Sequence, residues 1–303
     1  MRKLVLDRRN LDLEYEQGCI IIRSKDDPSR SIPIKHLDQV VCMHGVTITS
    51  SLIGQLVVNG IDLIVLNQRY ADNSFALYAN QQKQVEKRCL QYSWQQQANA
   101  RLKLAKVLCA HKFKVTSQYA EKYGFLKLVD QANNAIHASN SAHSEGSIRG
   151  IEGALQRHAF EMWRQLLPSN LEFCERRRRP PPDPVNSILS LTYMVVLSEA
   201  IRQCKIYGLD SQLGFYHRVQ AGRHSLACDL IETLRPHIEC WVVQMFVHET
   251  LVKKHFTTSK GVCILTKDHR PNYYQQLDKQ TTIWRRRLQS NARWLCHKIT
   301  KAL

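Results

Sequence analysis

The chain has 303 residues, 44% of them apolar, and a formal charge of +17 at neutral pH. That is apolar mass for one large core or two ordinary ones, and a charge of this size implies a polyanionic partner. The opening MRKLVLDRRN turns polar at once, unlike a secretory leader. The longest apolar run, Ile188 to Leu197, is broken by Ser190 and Thr192 and is too short to span a bilayer. A soluble, cytoplasmic protein with no membrane partner is expected. Ten cysteines are scattered from Cys19 to Cys296 without a CxxC pair or a compact cluster with histidine, which favours free thiols in a reducing compartment over a disulfide or zinc framework.

The charge is unevenly placed. Residues 1–78 hold nine Lys or Arg and nine Asp or Glu, whereas residues 79–303 hold thirty-four against seventeen, so the entire excess lies in the second part. The first part has β character. Short apolar segments at Leu4–Leu6, Ile20–Ile22, Ile32–Ile34, Val40–Val41, Val46–Ile48, Ile61–Leu66 and Phe75–Leu77 are separated by polar turns such as Lys25–Pro28 and Tyr70–Asn73, with one short helix over Ser50–Asn59.

From Gln81 onward the period becomes helical. Leu90, Trp94, Ala98, Leu102 and Ala105 form a stripe within Val85–Val107, and another helix follows. The polar stretch Ala132–Ser147, with His137, His143 and Glu145, has the character of an exposed connection. Ser147 is placed to cap the next helix, whose inward stripe is Ile151, Leu155, His158 or Ala159, and Met162. Glu152 borders that stripe between Gly150 and Gly153, which permit close backbone approach.

Arg176, Arg177, Arg178 and Arg179 precede three prolines and Asp183-Pro184. The prolines hold an extended arm, Asp183 caps and Pro184 starts a long buried helix, and the four guanidiniums become a candidate phosphate clamp. Further along, a helix from Ser225 carries Asp229 and Glu232 on one face of an otherwise apolar segment, and His217 precedes it by twelve residues to Asp229. Two like charges near a core are costly unless a cation lies between them. Imidazole with carboxylates suits Mn²⁺ and tolerates Mg²⁺. From the residues alone, two classes remain: a metal-dependent enzyme acting on nucleic-acid phosphodiesters, and a basic scaffold without chemistry.

IRGIEGALQRHAFEMW, RRRRPPPDPVNSILSLTYMVV, GLDSQLGFYHRVQAGRHSLACDLIETLRP and YYQQL, in this order and behind VVCMHGVTITS, resemble Cas1, the integrase family of CRISPR adaptation, across nearly the whole chain. The resemblance implies an α+β fold: a small N-terminal β-sandwich followed by a larger, mainly α-helical catalytic domain. It implies dimerisation through residues 1–78, a linker at 79–88, a catalytic and DNA-binding domain at 89–280, and a basic C-terminal helix at 281–303. It assigns Glu152, His217 and Asp229 as ligands of Mg²⁺ or Mn²⁺, with Glu232 supporting the ion one turn beyond. It further implies joining of 3′-hydroxyl DNA ends to repeat DNA by transesterification, endonuclease activity, and homodimers bridged in pairs by Cas2 on double-stranded DNA. Arg176–Arg179, Arg223, Arg235 and Arg285–Arg287 become candidate DNA contacts, and Trp284 and Trp294 belong to a tail that either touches DNA or packs. SIRGIEG departs from the family, which more often has methionine before the glycine and an aromatic after it, and Cys228 replaces a commoner apolar residue. A stand-alone nuclease for branched DNA and a non-catalytic scaffold are the rival readings.

Overall fold

The structure is a computed structural model, described for residues 3–24, 27–66, 74–79 and 85–301. Lys25, Asp26 and the expected turn at Tyr70–Asn73 lie outside the described residues. The chain divides into two compact units, residues 1–83 and 84–303.

In the first unit two four-stranded sheets form a sandwich. One has the order β1-β5-β7-β8, from Lys3–Leu6, Gln39–Cys42, Asp62–Val65 and Phe75–Leu77, with only β8 antiparallel to its neighbour. The other has the order β4-β3-β2-β6, from Arg30–Pro33, Cys19–Arg23, Asp12–Glu16 and Thr47–Ile48. The acid-rich strand β2 was hidden in composition and visible only in its alternation: Leu13 is buried and Tyr15 packs on the core, while Glu14 and Glu16 point out to Arg23. Gln17 and Gly18, both at positive φ, turn β2 into β3. Helix α1, Ser50–Val58, is capped by the Thr49 hydroxyl and buries Leu52 and Leu56 in the cluster of Leu13, Ile20, Val40 and Leu63.

The second unit is helical: α2 Val85–Gln96, α3 Ala98–Lys122, α4 Leu126–Ser141, α5 Glu145–Leu166, α6 Pro184–Ile206, α7 Ser225–Glu232, α8 Arg235–Val247 and α9 Arg270–Thr300. Several expectations change. The period expected to run unbroken through Val85–Val107 is interrupted at Gln97, which caps α3 in extended conformation. Ala132–Ser141 is helical, because Ala132, Ala135 and Ser139 form a buried face that the polar composition masked. Ser144, rather than Ser147, caps α5, accepting from the Ser147 backbone N–H. The linker expected at 79–88 already contains the first turn of α2, and the division expected at 281 falls inside the uninterrupted α9. A hairpin that periodicity passed over, β9 Phe256–Ser259 and β10 Val262–Leu265, turns at Lys260-Gly261, both with positive φ.

Helix α6 is, among the described residues, the one helix long and apolar enough to cross a membrane by length and composition. The shorter apolar run read from the sequence understated it, but 67% of its apolar window is buried inside the unit. Its start is as expected. The Asp183 carboxylate accepts from the Asn186 backbone N–H at 2.8 Å and from the Asn186 side chain at 2.7 Å, with Pro184 in the first turn. Asn186 in turn accepts from the Arg176 guanidinium and the Arg177 N–H, so one cap anchors the arginine arm as well as the helix. Asp183→Ala is expected to lower stability by about 2 kcal/mol, the upper end for a lost cap, and Asp183→Asn by less; urea denaturation of both variants measures this.

Candidate active site

The segment between α6 and α7 folds back over the start of α7. Asp229, 1% exposed, sits at the centre of that fold. Its Oδ2 accepts from the backbone N–H groups of Phe215 at 2.6 Å and Tyr216 at 3.0 Å, and its Oδ1 accepts from the His217 N–H at 2.9 Å. The His217 Nδ1 lies 2.7 Å from the same Oδ1. The turn needs Gly214: a Cβ there would stand 2.7 Å from the Ser225 Cβ and 2.9 Å from the His217 carbonyl oxygen. GFYH and SLACD are therefore one folding unit, in which glycine permits the approach and the aspartate ties three successive amides. In the neutral imidazole, the Asp229 contact places the ring proton on Nδ1 and leaves Nε2 with a free electron pair.

That Nε2 faces Glu232, whose Oε1 is 3.4 Å away. Glu232 is buried, its Oε2 accepts from the Lys112 ammonium at 3.1 Å, and its Oε1 accepts from the Arg235 guanidinium. Lys112, on the buried stripe of α3, also donates to Glu152 Oε1 on α5. Burial alone would raise the Glu232 carboxyl, but Arg235, then Lys112 and His217, outweigh it and hold the group well below the ordinary glutamate range. Burial pulls Lys112 down, and Glu232 with Glu152 more than restores it, so its pKa is raised and it carries its charge.

Glu152, His217, Asp229 and Glu232, the four residues singled out from the sequence, therefore lie in one cluster: Lys112 bridges Glu152 and Glu232, Asp229 bonds His217, and the His217 Nε2 stands 3.4 Å from Glu232. Their roles within it differ. Asp229 spends both oxygens on four donors from its own loop, whereas Glu232 shares its oxygens between Lys112 and Arg235 and stands 3.4 Å from the His217 Nε2. As they stand, no three His, Cys, Asp or Glu side chains among the described residues converge to hold an ion. The ammonium of Lys112 lies between the two glutamates. Oxygen donors with one imidazole, drawn around a positive centre, are a donor set that fits Mg²⁺ or Mn²⁺. Gly150 and Gly153 do not serve close packing: a Cβ at either would meet nothing within 4 Å.

The candidate DNA contacts divide. Arg177, Arg178, Arg179, Arg286 and Arg287 are exposed. Arg176 bonds Asn186 and Ser190 and lies 5.9 Å over the Tyr193 ring, and burial lowers its pKa to about 10. Arg235 serves Glu232 and lies 5.2 Å over the same Tyr193 ring. Arg285 lies 3.1 Å from the buried Glu199. Arg223 is half-buried beside Cys228, whose thiol burial pushes up. Arg287 donates to the His237 Nε2, and burial lowers that imidazole to about 4, which keeps it a neutral acceptor. Trp284 is 1% exposed and packs edge-on against Trp241, while Trp294 is partly exposed.

Two residues escaped the sequence reading. Lys112 falls four residues after Leu108 on an apolar stripe, where a lysine is out of place unless paired; that anomaly was its signal. Glu239, in the apolar run of α8, lies below the site and accepts from Gln156, Trp163 and Tyr193, and burial raises its pKa.

A nuclease-type carboxylate–imidazole site on a basic helical unit, behind a small β-sandwich, defines the class. The profile of the CRISPR-associated protein Cas1 family matches residues 4–279, and the chain belongs to the Cas1 family. It is 31% identical to "CRISPR-associated endonuclease Cas1 1" of Thermodesulfovibrio yellowstonii, covering 97% of this chain and 96% of that one. In fold it is similar to a casposase bound to integration product (TM-score 0.86, 17% identity, 100% of this chain and 92% of that one). It is also similar to a chain of a Cas6-RT-Cas1–Cas2 complex (TM-score 0.87, 19% identity, 99% of this chain and 35% of that one).

Two outcomes follow from this geometry. Asp229→Ala releases the imidazole, so nitrogen NMR of His217 should show the Nδ1–H tautomer in the parent protein and a mixture of tautomers in the variant. Glu232→Gln leaves Lys112 and Arg235 short of a partner and should cost about 3–5 kcal/mol near neutral pH. Because the folded-state pKa of Glu232 is depressed, its contribution is present above the ordinary glutamate range and fades as pH falls through the folded value. The stability gap between parent and variant, measured in urea, should be narrower at about pH 3 than at about pH 7.

Proposed function

We propose that this protein is a divalent-metal-dependent DNA integrase of CRISPR adaptation. On this reading it joins 3′-hydroxyl ends of captured double-stranded DNA to a repeat, works as a dimer through its β-sandwich, and pairs with Cas2. The observation that carries it is the buried cluster in which Lys112 bridges Glu152 and Glu232 while the His217 Nε2 stands 3.4 Å from Glu232, in the basic unit of a Cas1-family chain. Two structures similar in fold, a casposase bound to integration product and an assembly of Cas1 with Cas2, support the substrate and the partner. Ten free cysteines suit the reducing cytoplasm where such DNA is handled.

We infer that Glu152, His217 and Glu232 would hold Mg²⁺ or Mn²⁺, with Asp229 as the group that fixes the imidazole rather than a ligand. This exchanges the roles the resemblance gave to Asp229 and Glu232. A bound divalent ion supplies Lewis-acid polarisation of the scissile phosphate. The chain's own residues do the rest. Asp229 keeps the His217 ring oriented, and the exposed Arg177–Arg179, Arg286 and Arg287 offer phosphate contacts that align the duplex. In the reaction a 3′-hydroxyl oxygen forms a new phosphodiester as an existing one breaks, and the leaving group is again an alcohol, so the bond count is unchanged and no external energy source enters. Water in place of the hydroxyl gives hydrolysis, the stand-alone reading that the endonuclease name of the similar proteins favours.

Purified protein with its Cas2 partner, given repeat DNA and oligonucleotides ending in 3′-hydroxyl or 3′-deoxy, separates these. Joined product that disappears with the deoxy end is expected; equal cleavage with both ends would instead indicate hydrolysis. Glu152→Gln and Glu232→Gln should abolish joining. Asp229→Asn should retain a trace, lower by about 10–100-fold, as for loss of a group that orients a ligand. Full activity in all three would leave only the scaffold reading.

A further inference from the structure

The site as folded already contains a cation. The side chain of Lys112 is 3% exposed, and its ammonium donates to both Glu152 and Glu232, the two carboxylates assigned above to a divalent ion. A narrow crevice adjoins it, walled by Phe113, Thr116, Glu152, Leu155 and Gln156. An ammonium and a divalent ion cannot both lie between these carboxylates. Glu232 also keeps Arg235 on its other oxygen, so without Lys112 the buried acidic pair would be left with charge that only a further cation could balance.

We propose that Lys112 is the resident cation of the ion-free site, and that a divalent ion enters by displacing its ammonium from Glu152 and Glu232. This rests on the metal-dependent reading of the same site. A lysine suits such exchange. It is a point charge on a flexible four-carbon stem, with none of the fork geometry that locks an arginine to a carboxylate. Glu152 is the half-buried member of the pair, its side chain 21% exposed against 3% for Glu232, so the ammonium is released on its side. The exchange keeps the carboxylates preformed when no ion is bound. It also lowers ion affinity, since two buried ion pairs must break before coordination begins.

The test is Mn²⁺ binding to the full chain, read by electron paramagnetic resonance of the free ion. Lys112→Met, close in size and uncharged, should bind Mn²⁺ at least about tenfold more tightly than the parent, and Lys112→Arg no more tightly. In the parent protein, acylation of Lys112 by an amine reagent, followed by mass spectrometry, should be slow without Mn²⁺ and at least about fivefold faster with it; this arm decides alone if Lys112→Met fails to fold. Equal affinity of parent and Lys112→Met overturns the role of Lys112 and leaves the metal reading standing. Acylation that ignores the ion does the same where that arm decides. Absence of Mn²⁺ binding by parent and variant alike overturns the metal reading itself.

Discussion

One carboxylate organises this site. Asp229 gathers three consecutive backbone amides and an imidazole nitrogen, all within 3.0 Å, at the buried start of α7. Buried amides in an irregular loop must be satisfied somewhere, and here a single charged acceptor meets them with charge-assisted bonds. The loop is thereby tied to α7, and the direction of the His217 Nε2 is a consequence of the fold. Gly214 is the steric condition of that arrangement, since any side chain at that position would force Ser225 and the loop apart.

Around this fixed point the helical unit spends an unusual amount of buried charge. Lys112, Glu232, Glu239 and Asp229 are all buried, drawn from three different helices, α3, α7 and α8, while Glu152 joins from α5. Such a network is poor material for stability, because desolvation offsets much of the attraction between the partners. Its value lies in holding electron-pair donors in place at low dielectric, where a phosphodiester reaction needs them. The basic excess of the same unit acts at longer range, as an attraction to any polyanion, while Arg176, Arg235 and Arg285 turn inward onto Tyr193, Glu232 and Glu199.

Much of this was legible in the residues. Short apolar segments between polar turns marked the first part as β, the sandwich itself coming from the resemblance, helical periods marked the second, Asp183-Pro184 announced the start of α6, and the spacing of Asp229 and Glu232 placed both on one helix near His217. What the pattern could not carry was the assignment of roles within a helix turn. Asp229 and Glu232 are both buried acids three residues apart, and only the path of the GFYH loop decides which one is consumed by backbone amides. Lys112 was missed for a related reason: its partners lie 40 and 120 residues away, beyond any local window. Composition also misled in places. The polar Ala132–Ser141 helix and the acidic strand β2 each hide a narrow buried face, and a run of four arginines gave no sign that the first of them turns inward onto Tyr193.

The central claim, that Glu152, Glu232 and the His217 Nε2 form the ion site while Asp229 holds the loop, is tested most directly by anomalous diffraction at the manganese edge from crystals grown with Mn²⁺. The account predicts one ion roughly 2.0–2.3 Å from oxygens of Glu152 and Glu232 and from the His217 Nε2, with the Asp229 bonds to residues 215–217 intact. An ion coordinated by Asp229, with those backbone bonds broken, or no ion among these side chains at all, would contradict it.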